Sequence, residues 1–290
     1  MRRACIDIGS NTTRLLVADC HGDRLIEVHQ DRSFTHLRRG LTSEAEIEGD
    51  KIAEVVAVVV AQLAAARVLG ATDVVGVATA AVRQASNRDA LLEAVRSACG
   101  LEIRVLSAEQ EARLAFSGAA RTLGYVPAGP LGVVDVGGGS CELVVGTVPD
   151  QVTWCISFGL GSGQLADECL PSDPPSAGEL ADARARLNRA LDGVQPPPVA
   201  HVVAVGGSAA SLRRIAGPLL DAGVFERVLN MLAAQRAFDV ACEFELDIDR
   251  VRLLPAALLI LEAAAERFGA PLEVGRGGIR EGLLLEVSDG

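Results

Sequence analysis

Residues 133–146 read Val-Val-Asp-Val-Gly-Gly-Gly-Ser-Cys-Glu-Leu-Val-Val-Gly. Two apolar runs of strand character flank an acid, three glycines, a hydroxyl and a second acid. Two residues are enough to reverse a strand, so Gly137-Gly138-Gly139 asks for another reason. Glycine lacks a Cβ, which lets backbone N–H groups converge on an anion. Ser140 adds a hydroxyl donor. Asp135, ending the first strand, is placed to hold a divalent cation beside a phosphate, directly or through water. Taken alone, the stretch reads more simply as a long hairpin turn with a capping acid.

The chain contains a second copy. Residues 7–17, Asp-Ile-Gly-Ser-Asn-Thr-Thr-Arg-Leu-Leu-Val, align without gaps on residues 135–145. Each copy runs acid, aliphatic, glycine, two small residues, hydroxyl, two variable positions, then apolar strand. Gly9, Ser10, Asn11, Thr12 and Thr13 are thus the counterparts of Gly137, Gly138, Gly139, Ser140 and Cys141. Two equally spaced copies behind an aspartate favour phosphate and metal over a bare turn. A third turn, Gly206-Gly207-Ser208 after an apolar run, shares the theme and reads as a contact to the distal part of a ligand, or as a strand-to-helix turn with Ser208 as cap.

Around these hairpins, strands and helices alternate, as in an α/β architecture. Strands are expected at 4–7, 14–18, 24–34, 73–78, 102–106, 131–135, 142–146, 152–158, 201–205 and 272–275. Helices are expected at 43–69, 88–99, 108–123, 160–168, 176–191, 255–268 and 278–286, with another after Ser208. Pro127-Ala-Gly-Pro130 punctuates the chain, so the domains are placed at 1–124 and 125–290.

Composition narrows the class. Hydrophobic residues are 49% of the 290, yet aromatics only 3%, so the core is aliphatic, as in parallel strands covered by helices. No apolar run reaches the roughly 20 residues a membrane span needs. An acid at Asp7 comes too early for a signal peptide. Seven cysteines without a paired motif point to reduced thiols in the cytoplasm. A net charge of −11 disfavours general nucleic-acid or membrane binding.

The paired hairpins resemble the two phosphate loops of the acetate kinase, sugar kinase, heat-shock chaperone and actin superfamily. Four collinear motifs narrow the resemblance: Asp7-Ile-Gly-Ser-Asn-Thr, Ser107-Ala-Glu-Gln-Glu-Ala-Arg113, Val134-Asp-Val-Gly-Gly-Gly-Ser140 with Glu142, and Gly278-Ile-Arg-Glu-Gly282. Together they resemble the Ppx/GppA phosphatases, exopolyphosphatases and guanosine pentaphosphate phosphohydrolases. The resemblance implies two ribonuclease H-like (actin-like ATPase) domains with a cleft between them and a final helix packing back on the first domain. It also implies release of terminal orthophosphate from polyphosphate or guanosine pentaphosphate, the latter a link to the stringent response. Glu111 takes the place of the family's catalytic glutamate, and general-base assistance of this kind contributes about 10²–10⁴ in rate. Asp7, Asp135 and Glu142 become metal-associated carboxylates for Mg²⁺ or Mn²⁺. Arg83, in Thr79-Ala-Ala-Val-Arg-Gln-Ala, becomes a phosphate ligand, and Arg14 a neighbour of the first loop. Relatives are often dimers, so a second copy is a further expected partner. Longer relatives carry extra helical domains, which favours short chains here.

The sequence also departs from the family pattern. His36-Leu37-Arg38-Arg39-Gly40 stands where many relatives have Arg-Leu-Gly-Glu-Gly. Gln110 replaces a frequent acid, Cys141 a common Thr, and Arg276 an acid of some relatives. Two other functions fit the same loops: a small-molecule kinase, and a non-catalytic sensor of guanosine polyphosphates.

Overall fold

The computed structural model describes residues 1–22, 24–42 and 44–286. The chain forms two compact units, Met1–Leu114 with Ile279–Gly290, and Ala115–Gly278.

In the first unit, β1 (Arg2–Ile8), β2 (Thr12–His21) and β3 (Arg24–Phe34) make an antiparallel meander. A 3-10 turn (Leu37–Gly40) and helix α1 (Gly49–Val68) lead to β4 (Asp73–Ala78), which lies parallel to β1. Helices α2 (Ala80–Gln84) and α3 (Arg88–Cys99), strand β5 (Ile103–Val105) and helix α4 (Ala108–Thr122) follow. The sheet order is β3-β2-β1-β4-β5. Ile8 pairs with Ala78 and Ala78 with Val105, so the carboxyl ends of the three parallel strands finish level.

Both faces of this sheet are covered, which explains the unbroken apolar strands. On one face, Val55, Val59, Leu63 and Ala66 of α1 form a helical stripe that joins Ile6, Ile8, Leu15 and Val17 in one core. Cys5, Leu16, Ala18 and Val77 form a second core with Leu114, Leu283 and Leu284.

The second unit repeats the plan. Strands β6 (Leu131–Val136), β7 (Cys141–Thr147) and β8 (Gln151–Phe158) form the meander, followed by α5 (Ser162–Cys169) and α6 (Ala177–Ala190). Then come β9 (His201–Val205), α7 (Gly207–Ala216), β10 (Leu219–Leu220), α8 (Ala222–Ala234), α9 (Ala237–Phe244), α10 (Ile248–Val251), α11 (Leu254–Phe268) and β11 (Leu272–Val274). The order is β10-β11-β9-β6-β7-β8. From the meander inward, β8-β7-β6-β9-β11 matches β3-β2-β1-β4-β5, with parallel pairing of β6 to β9 and of β9 to β11. The internal repeat therefore extends from an eleven-residue motif to two whole sheets. Helix α12 (Ile279–Glu286) belongs to the first unit, where it packs on β1 and β2.

Three expectations differ from what is observed. The units divide inside α4, between Leu114 and Ala115, rather than after residue 124. Helix α1 starts at Gly49, not near 43. Thr42 Oγ1 accepts the N–H groups of Glu44 (3.3 Å) and Glu46 (3.2 Å), and Leu41 bridges Ile47, so a turn replaces the first helical turns. Ser43 itself lies outside the described residues. Finally, residues 222–251, given no reading from sequence, form α8, α9 and α10. No helix among the described residues is long and apolar enough to cross a membrane.

Candidate active site

The two hairpins close in the same way. Gly9 N donates to Thr12 O (2.9 Å) and Gly137 N to Ser140 O (3.0 Å), at aligned positions of the repeat. A Cβ would lie 3.0 Å from Thr12 O at Gly9 and 3.1 Å from Ser140 O at Gly137, so both bends favour glycine at that position. Their backbone carbonyls are also tied back to the chain. Ser10 O accepts from Arg38 N (2.9 Å), and Asn11 O from Thr35 N (3.1 Å) and His36 N (3.0 Å). Gly137 O accepts from Ser162 N (2.9 Å), and Gly138 O from Gly163 N (3.0 Å) and Gln164 N (3.1 Å). With the carbonyls held in this way, a bend presents a ligand with N–H dipoles, the arrangement that anion-binding loops use.

Gly161 and Ser162 escaped the sequence reading. A Cβ on Gly161 would come within 2.5 Å of Gly138 C and 2.6 Å of Gly137 O and Gly139 N. Ser162 Oγ donates to Gly137 O (3.1 Å). A readable signal was present, since Gly159-Leu160-Gly161-Ser162 is a small-residue and hydroxyl pattern before a helix.

In the first unit the level strand ends gather the 9–12 bend, Arg83 and Glu111. β1 ends at the 9–12 bend. Thr79 N donates to Ile8 O (3.2 Å) at the exit of β4, and α2 follows with Arg83. Leu106 N donates to Ala78 O (2.9 Å) after β5, and α4 follows with Glu111. Carboxyl ends of strands are where open α/β sheets bind ligands. Ser107 and Gln110 make a reciprocal cap at 3.1 and 2.9 Å. The Glu111 side chain is 4% exposed and ion-paired with the Arg83 guanidinium, whose Nη1 also donates to Leu106 O (2.8 Å). A buried carboxylate needs such a partner. Arg113 pairs with Glu286.

Asp7 is buried and faces Arg14 across the β1–β2 ladder. Burial pushes its carboxyl above the usual range, while the Arg14 and Arg280 guanidiniums pull it down. Asp7 Oδ1 and Asn11 Nδ2 are buried without a hydrogen-bond partner among the described residues. Leaving such an atom unsatisfied costs about 1–3 kcal/mol, so both positions favour a ligand. Arg14 Nε donates to Thr12 Oγ1 (3.0 Å), which ties the guanidinium to the bend.

In the second unit Asp135 and Glu142 face each other across the β6–β7 ladder, 7% and 2% exposed. Ser157 Oγ donates to Glu142 Oε1 (2.7 Å). Asp135 pairs with Val205 of β9, so the third turn leaves the same sheet edge. Gly206 has φ 94°, and a Cβ there would lie 2.8 Å from Asp135 Oδ1, so this turn packs directly on the aspartate. Gly207 opens α7, and the fully buried Ser208 accepts from Arg250 Nη1 (3.4 Å). Cys141 is 3% exposed and packs in the core of the second unit, where burial, with Glu142 and Asp135 nearby, pushes its thiol well up.

Among the described residues no three His, Cys, Asp or Glu side chains gather as a metal cage. The carboxylates present still fit Mg²⁺, which takes one or two carboxylates and keeps several waters. Asp135 and Glu142 supply two buried carboxylates in register. In the first unit Asp7 holds an oxygen without a donor.

A model of the Ppx/GppA phosphatase family matches residues 16–289. The chain belongs to the Ppx/GppA phosphatase family. Among proteins of this kind, exopolyphosphatase 1 of Mycobacterium tuberculosis is 30% identical over 311 residues, covering 100% of this chain and 89% of that protein. Exopolyphosphatase 2 of the same organism is 32% identical over 200 residues, covering 66% and 62%. The crystal structure of the Aquifex aeolicus Ppx/GppA family member superposes with a TM-score of 0.83 at 28% identity, covering 99% and 97% of the two chains. An exopolyphosphatase structure from Cytophaga hutchinsonii shares the fold at TM-score 0.89 and 20% identity, covering 100% and 98%. The family match begins after the 9–12 bend, so the case for that bend rests on its geometric equivalence to the 137–140 bend.

Proposed function

We propose that this Ppx/GppA phosphatase hydrolyses terminal phosphoanhydride bonds of polyphosphate and of guanosine pentaphosphate in the cytoplasm, with Mg²⁺ or Mn²⁺ as cofactor. The observation that carries the reading is the level ending of β1, β4 and β5, which brings the 9–12 bend, Arg83 and Glu111 to one sheet edge. The family's named exopolyphosphatases support the substrate class. Seven scattered cysteines with no C-x-x-C pattern support the compartment.

In this reading each unit supplies residues suited to phosphoryl transfer. Glu111 takes a proton from water as the water oxygen bonds to the terminal phosphorus. The phosphorus–oxygen bond to the next phosphate breaks, giving orthophosphate and a chain one unit shorter. The bend amides, Ser10, Thr12, Arg14 and Ser140 bind the phosphate oxygens, and Arg83 holds Glu111 in place while contributing positive charge. Gly207 and Ser208 shape the turn behind Asp135. Asp135 and Glu142 in the second unit, and Asp7 in the first, are the carboxylates that would hold a cation, which supplies charge neutralisation on the leaving and equatorial oxygens.

Phosphate release from tripolyphosphate, long polyphosphate, guanosine pentaphosphate and ATP tests the proposal. Turnover of the first three without an acceptor is expected. Tight binding of guanosine pentaphosphate with no turnover of any of them would make the chain a sensor instead. Asp135→Ala is expected to move the Mg²⁺ titration of activity to higher concentration, and an unchanged midpoint would remove Asp135 from the metal.

A further inference from the structure

We propose that the turn Leu37–Gly40 is a second anion subsite, in which Arg38 and Arg39 hold the inner phosphates of a chain and favour substrates with three or more linked phosphates. The proposal rests on the polyphosphate reading above.

Four observations carry it. The turn is bonded to the first bend rather than merely near it, since the amides of Thr35, His36 and Arg38 occupy the carbonyls of Ser10 and Asn11 at 2.9–3.1 Å. The bend therefore adjoins a segment carrying two adjacent arginines, Arg38 half-exposed and Arg39 exposed. The corresponding tie in the second unit comes from Ser162, Gly163 and Gln164, which are neutral. The two bends thus have collars of different charge, and the difference repeats across the ladders, where Arg14 faces Asp7 but Glu142 faces Asp135. The first bend thus carries positive charge beside its aspartate that the second lacks, which suits it to the inner phosphates of a polyanion.

The turn is also preorganised. His36 takes the left-handed conformation (φ 44°) and stacks on Phe34 at 5.6 Å, Arg32 lies 5.0 Å from the same ring, and Leu37 is fully buried. A fixed backbone lowers the ordering cost of binding through its side chains. Arginine's planar fork matches phosphate oxygens, and a long side chain reaches past the phosphate held by the bend.

The test uses the full chain with Arg38→Gln, Arg39→Gln and the double variant. Dissociation constants are measured by calorimetry for pyrophosphate, tripolyphosphate and long-chain polyphosphate, together with KM for the two longer substrates. The double variant is expected to weaken the longer ligands about tenfold and pyrophosphate less than twofold, with a shallower salt dependence for the long chain. Arg38→Lys should recover part of the loss by keeping the charge. Equal loss on all three ligands, or none on any, would overturn the subsite. If the wild type binds these chains without hydrolysing them, the proposed function fails, while the ligand-length dependence of binding still decides the subsite.

Discussion

Glu111→Ala is expected to lower turnover by about 10²–10⁴ with substrate binding largely kept. The size follows from the role: without a base the attacking water keeps its proton into the transition state. The structure complicates the substitution in a useful way. Glu111 is also the partner of Arg83, so alanine releases a guanidinium as well as removing a base. Glu111→Gln separates the two effects. Its amide oxygen still accepts from Arg83 Nη1 but takes up no proton at neutral pH. If both variants lose activity alike while their melting temperatures differ, the base role stands and the stability effect belongs to the ion pair. If glutamine keeps wild-type turnover, Glu111 is a positioning group for Arg83 and the base lies elsewhere.

Gly161→Ala is the second large effect. The added methyl would meet three backbone atoms of the 137–139 bend at 2.5–2.6 Å, and backbone cannot rotate away as a side chain can. Overpacking of this kind costs about 1–3 kcal/mol, or roughly 2–4 °C in Tm for each kcal/mol in a unit of this size. Activity should suffer more than stability, because a shift of about 1 Å at a reacting group can cost about 10²-fold. Gly159→Ala is the control, since nothing lies within 4 Å of its added methyl. It should stay within about 0.5 kcal/mol of wild type. Equal behaviour of the two variants in melting and phosphate release would mean that the bend does not depend on its contact with Gly161.

Much of this molecule was legible before its structure, and the reason is locality. The hairpins at Asp7 and Asp135 announce themselves through glycine, hydroxyl and acid within a few residues, and their closing bonds span three positions. The cap at Ser107 is equally local. The remaining features depend on partners distant in sequence. Arg83 meets Glu111 because β4 and β5 end level, a register that neither segment encodes alone. Gly161 matters because of Gly138, and Arg250 because of Ser208. Helices α8 and α10 did carry local signals, Asp221 accepting from Val224 N at 2.9 Å and Asp247 from Asp249 N at 2.8 Å. These caps are short-range, but no glycine or proline between residues 224 and 254 marks where one helix ends and the next begins. The unit division within α4 was illegible for a related reason: helix residues continue through it, and only packing assigns Leu114 and Ala115 to different units.

Orthophosphate release from tripolyphosphate in buffer containing Mg²⁺ and no hydroxyl acceptor other than water, compared between wild type and Glu111→Gln, tests the central claim most directly. Steady release by the wild type and a fall of about 10²-fold or more in the variant are expected. Release that requires an added acceptor, or equal rates for the two proteins, would contradict it.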